Sequence, residues 1–195
     1  MIPKTLRKLL LATSFVAVMS TSAMAAGAHV APLEAYAQDT VAQWIANSVI
    51  IDAIKAQNIA NADLTEAQII DLDNVWRAET DASSRPMIDE ILANAVSALL
   101  ANYKDASMGM VTEIFIMDNK GMNVGQSDVT SDYWQGDEGK WQKTYLVGPE
   151  AVFVDEVEMD ESSQTLQSQL SMSIVDPASG EVIGAITVGV NVDEL

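Results

Sequence analysis

Hydrophobic residues along this chain follow two rhythms. From about residue 28 to residue 105 they recur every three or four positions, and from about residue 109 to the end they alternate. The first rhythm predicts one long helix from about Leu33 to Asn58, with Leu33, Tyr36, Ala37, Val41, Trp44, Ile45, Val49, Ile51 and Ile54 on its apolar side. Pro32 suits its first turn, where a missing N–H costs nothing. A second helix opens at Thr65, with Gln68 three residues on as a capping-box partner and Ile69, Leu72, Val75 and Trp76 as its stripe. A third begins after Ser84, with Pro86 in its first turn, and carries Ile88, Ile91, Leu92, Ala95, Val96, Leu99 and Leu100 towards Tyr103.

The second rhythm predicts strands at Met110 to Met117 and Met122 to Gln126, joined by the turn Asp118-Asn119-Lys120-Gly121. Residues 127–149 lack a strand pattern and predict a loop with a short helix around Glu138 to Tyr145. Three more strands are expected at Ala151 to Glu158, Thr165 to Val175 and Glu181 to Val192. Asp160-Glu161-Ser162-Ser163 and Asp176-Pro177-Ala178-Ser179-Gly180 connect them, and connections this short make antiparallel neighbours. The expected class is α+β: a helical part over about 28–105 and a five-stranded antiparallel sheet over about 109–195. No internal repeat or low-complexity linker divides it, so residues 26–195 read as one domain.

Residues 1–25 are set apart from that fold. Lys4, Arg7 and Lys8 precede an apolar run from Leu9 to Met19, and small residues end in Ala23-Met24-Ala25. These are the three parts of a Sec-type signal peptide, and the run is shorter than a membrane-spanning helix needs. The expected location is therefore the periplasm, with the mature chain soluble and starting at or near Ala26. Intact-mass measurement on a periplasmic extract checks this; Met1 retained in the membrane fraction would overturn it.

Cleavage changes the charge. The net charge of −18 becomes −21 once the three basic residues leave. A field of that sign repels phosphate backbones and anionic headgroups, so neither nucleic acid nor a membrane surface is an expected partner. The chain has no cysteine, which removes thiol catalysis, thiolate metal sites and disulfides. Its one histidine, His29, stands beside the mature N-terminus, where chain ends are usually disordered. No G-x-S-x-G, P-loop or EF-hand pattern is present, and Asp128, Asp132 and Asp137 have carboxylates suited to calcium at a spacing that matches no such loop. An enzyme, a cofactor and a bound metal are all unexpected.

Two features suggest a site for a small molecule. Tyr133, Trp134 and Trp141 lie among Asp132, Asp137, Glu138, Lys140 and Lys143; such aromatics either roof the sheet or supply the contact area of a pocket whose orienting groups are the polar neighbours. The fourth strand separates into Leu166, Ser168, Leu170, Met172 and Ile174 on one face and Gln167, Gln169, Ser171 and Ser173 on the other. In the fifth, Val182, Gly184, Ile186, Val188 and Val190 form the apolar face, with Thr187 and Asn191 opposite. A polar row in a central strand is a solvated face or a pocket floor. Asp155 is a further polar candidate.

The order of these parts resembles the PAS-like extracytoplasmic sensor domains of the single Cache (PDC) family. The resemblance is carried by IFIMDNKGMNVGQSDVTSDYWQGDEGKW (114–141) and by the closing hairpin SMSIVDPASGEVIGAITVGVNV (171–192). It implies a pocket on one face of the sheet for a small organic ligand, a carboxylate, amino acid or amine, with the long helix packed on the other face and available as a homodimer surface. Tyr133, Trp134, Trp141, Lys143, Asp155, Gln167, Gln169 and Ser171 are the candidate ligand-binding residues. No second span or output module follows the last strand in this sequence, so the expectation is a periplasmic binding module that presents its ligand to a membrane receptor or kinase. The alternative is a ligand-free Cache-fold interaction protein that docks a sensor kinase or transporter.

Overall fold

The computed structural model describes residues 27–159 and 165–195. The expected signal segment and the turn expected at 160–163 lie outside the described residues. The helical part is α1 (Val30–Tyr36), a π turn (Ala37–Val41), α2 (Ala42–Ile45), α3 (Ser48–Ala60), α4 (Glu66–Thr80), α5 (Pro86–Leu92) and α6 (Ala95–Ala106). The expected first helix is thus broken, and so is the expected third. Each break falls on an asparagine after an alanine. Asn47 is extended (φ −69°, ψ 129°) and its Oδ1 accepts from Val49 N at 3.0 Å; Asn94 is extended (φ −77°, ψ 166°) and accepts from Ser97 N at 2.8 Å. An asparagine that satisfies an otherwise orphaned N–H restarts a helix as readily as it continues one. The capping box at Thr65 and Gln68 forms as expected.

The strands are β1 (Val111–Met117), β2 (Asn123–Gln126), β3 (Val152–Val154), β4 (Glu158–Met159), β5 (Leu166–Val175) and β6 (Val182–Asn191), with α7 (Gly139–Gln142) in the loop before β3. The order across the sheet is β2-β1-β6-β5-β3, all antiparallel, and β4 also pairs with β5. The third expected strand is therefore two short pieces on one edge. No helix among the described residues is long and apolar enough to cross a membrane.

One sheet face carries the main core. Ile114 and Ile116 of β1, Leu170, Met172 and Ile174 of β5, and Ile186, Val188 and Val190 of β6 pack against Leu33, Val41, Ile50, Ile54, Val96 and Leu100 of the helices. Fully burying one such aliphatic side chain is worth about 1.5–3 kcal/mol, so this layer dominates stability. Trp44 stacks on Tyr103 at 4.9 Å across the helical layer, and burial of Tyr36 beside them pushes its phenol up to about 12. Lys55 of α3 holds Asp176 in the β5–β6 turn at 2.7 Å, an arrangement that lowers the Asp176 carboxyl and raises the Lys55 ammonium.

Helix α4 buries two carboxylates that its sequence gives no reason to bury, while Val75 of the expected stripe is exposed. Asp73 Oδ1 accepts from Tyr133 N (2.9 Å) and Trp134 N (3.0 Å), and its Oδ2 accepts from Arg77 Nε (2.7 Å). Glu79 Oε2 accepts from Met87 N and Ile88 N, the orphan donors at the start of α5. Glu79 is therefore consumed by backbone, and Asp73 by backbone and Arg77 together. With Ile69, Trp76, Ile88, Met122 and Tyr133 they form a second, smaller core.

The β1–β2 turn is tied to the end of α3 through Asp118, which is fully buried. Its Oδ1 accepts from Lys120 N (2.8 Å) and Met122 N (2.9 Å), and its Oδ2 accepts from Gln57 Nε2 (3.0 Å) and Asn61 Nδ2 (3.4 Å). Asn58 adds a bond from Asn119 N, and Lys120 Nζ donates to the carbonyls of Ala62 and Leu64. Gly121, at φ +84°, closes the turn in a conformation that suits glycine.

Candidate functional site

The sheet face turned away from the core is built in cross-strand rows, and the register sets which side chains meet. Glu113 of β1, Gly189 of β6 and Gln169 of β5 form one row; Phe115, Thr187 and Ser171 form the next; Met117, Ala185 and Ser173 form the third. Gly189 puts nothing between its neighbours, so the first row closes over it: Gln169 Nε2 donates to Glu113 Oε1 at 2.9 Å. Gln167 Nε2 donates to the same oxygen at 3.0 Å, and Thr112 Oγ1 donates to Gln167 Oε1. A Cβ at position 189 would lie 2.5 Å from Thr112 Oγ1 and 2.7 Å from Glu113 Cγ, so the bridge over that strand needs glycine.

This fixed polar floor opens into a cavity of about 500 Å³, lined by Gln167, Gln169, Glu138, Gly139 and Lys140, with Asp155, Glu156, Glu158 and Met159 on the wall made by the β3–β4 edge. Lys140 reaches over the floor from α7. Its Nζ lies 5.4 Å above the Phe115 ring, 2.9 Å from Glu138 Oε2 and 3.3 Å from Gln135 Oε1. One ammonium among several carboxylates gives the cavity an excess of negative charge with one positive point, and the glutamine amides offer both donors and acceptors.

Three of the sequence candidates, Asp155, Gln167 and Gln169, meet at this cavity. Ser171 shares their face but is fully buried, its Oγ 3.0 Å from Thr187 Oγ1. Trp141 roofs the apolar end of the face against Phe115, Met117 and Ala185, stacks on Tyr145 at 4.9 Å, and donates from Nε1 to the Asp118 carbonyl. Lys143 sits 4.0 Å above the Phe153 ring, beside Gly139. Tyr133 and Trp134 are on the other side of the hairpin, in the second core: Tyr133 stacks on Trp76, and Trp134 Nε1 donates to the Lys120 carbonyl. The polar floor also includes Glu113, which is absent from the sequence candidates. Its signal is a lone carboxylate inside the apolar strand V-T-E-I-F-I-M.

His29 is not the loose terminal residue expected. It is buried, and its Nε2 lies 3.0 Å from the Asp155 carbonyl, which accepts the proton of the Nε2–H tautomer and also one from Ser168 Oγ at 2.8 Å. The start of α1 is thereby pinned to the cavity wall. The acidic residues weighed for calcium are dispersed: Asp128 pairs with Lys104 and Asp132 with Arg77.

No family model matches this chain, and no curated protein matches it. Solved structures do. The sensor domain of the V. cholerae histidine kinase DctB is 13% identical, with 85% of this chain and 55% of that chain covered and a TM-score of 0.38. The ligand-binding domain of the Campylobacter jejuni chemoreceptor Tlp3, solved with 4-methylisoleucine, is 13% identical over 80% of this chain and 62% of that one, at a TM-score of 0.39. That of the Pseudomonas fluorescens chemoreceptor CtaA, solved with L-alanine, is 12% identical over 64% and 58%, at 0.39. This chain thus spans little more than half the length of these three structures. Those structures are the sensor domain of a histidine kinase and the ligand-binding domains of two chemoreceptors.

Proposed function

We propose that this chain is an exported sensor-type binding module, without catalytic activity of its own, that captures a small amino acid or amine and presents it to a membrane-bound receptor or kinase. The observation that carries this reading is the polar floor of the cavity. Glu113, Gln167 and Gln169 are held by one another across Gly189 rather than left to rotate in solvent, and such preorganisation lowers the entropy lost on binding. The carboxylates of the wall suit an ammonium group, and Lys140 suits the carboxylate of an amino acid.

A ligand that binds only the folded state raises its stability by RT ln(1 + [L]/Kd), about 2.7 kcal/mol at a hundredfold excess over Kd. A thermal-shift screen of amino acids, amines and carboxylates is expected to give hits among the first two classes. Gln169→Ala is expected to weaken those hits about tenfold and, because its bond to Glu113 is lost as well, to lower the melting temperature in buffer, so each protein's shift is read against its own ligand-free value. Hits that bind Gln169→Ala and Lys140→Ala normally would place the site elsewhere, and a broad screen without hits would end this reading.

A further inference from the structure

The polar floor separates two cavities rather than bounding one. Gln167 lines the cavity of about 500 Å³ at the β3–β4 edge and also another, of about 360 Å³, where Glu113, Thr112, Val129 and Asn191 stand. Glu158 of β4 is directly opposite Gln167 of β5, and directly opposed residues point to the same face. Glu158, Gln167 and Glu113 therefore follow one another along one trough. Glu113 reaches across β6 to β5 and Glu158 flanks β5 from the other side, so their carboxylates are separated by about two strand spacings, roughly 10 Å.

Charge is unevenly matched along this trough. Its two cations are each held by an acid: Lys140 by Glu138 at 2.9 Å, and Lys104, in the second cavity, by both oxygens of Asp128 at 2.6 Å. Lys143 lies 4.0 Å above the Phe153 ring and outside both linings. Glu113, Asp155, Glu156 and Glu158 have no cationic partner among the described residues. They divide about Gln167, with Glu113 in the second cavity and the other three on the wall of the first. Both glutamine amides use Glu113 Oε1, which leaves Oε2 to a ligand.

On the reading of the sheet-face cavity as a binding site, we infer that the two cavities form one elongated site for a linear diamine. One ammonium is held by Glu113 and the other by Asp155 and Glu158, with the methylene chain laid over Gln167. An amino acid would have to bring its carboxylate to Lys140 or Lys104, and either lysine must give up an ion pair already made in order to receive it. A second ammonium needs no such exchange, and it supplies counter-charge to carboxylates that have none. Each end then makes charge-assisted hydrogen bonds, which are stronger than neutral ones. Between the ends, Met159 in the first cavity and Val129 in the second are exposed apolar side chains against which methylenes pack.

The test uses three five-carbon probes that differ at one end: 1,5-diaminopentane, pentylamine and 5-aminopentanoate. Isothermal titration at constant low ionic strength is expected to show the diamine binding at least about tenfold more tightly than either of the others, the gain from one further charge-assisted hydrogen bond. Glu113→Gln removes the charge and keeps an oxygen for the two glutamine amides; Glu158→Gln removes a charge at an exposed position on the wall. Each is expected to reduce the diamine's advantage over pentylamine to about threefold or less, the ratio being taken within one protein so that a change in its stability cancels. Asp71→Asn, exposed on α4 and outside both linings, is expected to leave the ratio as it is. A diamine that binds no better than pentylamine, a ratio that neither glutamine variant reduces, or one that Asp71→Asn reduces equally would overturn the diamine site. Amino acids that still bind in the sheet-face cavity would then leave the proposed binding role standing, whereas no binding by any amine or amino acid would remove both.

Discussion

Asp118→Ala is expected to lower the free energy of unfolding by about 3 kcal/mol, because four donors converge on this one buried carboxylate and only Gln57 Nε2 has a second acceptor in place, the Asn123 carbonyl at 3.3 Å. Each buried donor left unpaired costs about 1–3 kcal/mol, less whatever a water entering the gap restores. The loss is expected to be local in onset. The Lys120 and Met122 amides bond to the carboxylate itself, so their hydrogen exchange should accelerate more than that of the β5–β6 pair, which lies away from the turn. Urea unfolding gives the total and exchange gives its distribution. A loss below about 1 kcal/mol would show that Gln57, Asn61 and the turn amides find other acceptors, and that the latch between the hairpin and α3 is dispensable.

Trp76→Ala is expected to cost about 3–5 kcal/mol, the range for truncating a fully buried large aromatic. Trp76 is the centre of the second core, and its Nε1 also donates to the Thr130 carbonyl at 2.8 Å. Its removal takes the stacking surface from Tyr133 and the anchor from the 127–135 loop at once. Trp141→Ala is the fitting comparison, because that ring is only partly buried and its loss should cost less. Chemical denaturation of the two variants decides the matter, and equal losses would mean that the two aromatic clusters carry the same weight.

Much of the architecture was legible in the residues. The change of period at about residue 109 separates helices from strands, Thr65 and Gln68 mark a helix start, and the D-N-K-G turn marks a hairpin; each depends on local chemistry that neighbours in the chain can settle. The helix breaks at Asn47 and Asn94 were not legible by period, since the apolar phase runs through both. In each the decisive event is an asparagine side chain accepting from a backbone N–H two or three residues on. The buried acids Asp73 and Glu79 were hidden for a related reason: the backbone donors that permit their burial lie 60 and 8 residues away at the nearest, in the loop and at the start of α5.

The candidate site divides in the same way. The alternation of β5 by itself determined that Gln167, Gln169 and Ser171 share a face, because a strand's side chains must alternate. Whether that face was floor or surface was decided only by tertiary structure, through the register that sets Glu113 opposite Gly189 and Gly189 opposite Gln169. The aromatic loop shows the limit most plainly. Tyr133, Trp134 and Trp141 are close in sequence, yet the chain passes around the hairpin between them, so Trp141 covers one face of the sheet and Tyr133 packs beside α4 and α5 on the other. Sequence proximity fixes only how far apart residues can be; which face each one reaches depends on the path of the backbone, and that path is set by contacts as distant as Asp73 with Tyr133 and Gln57 with Asp118.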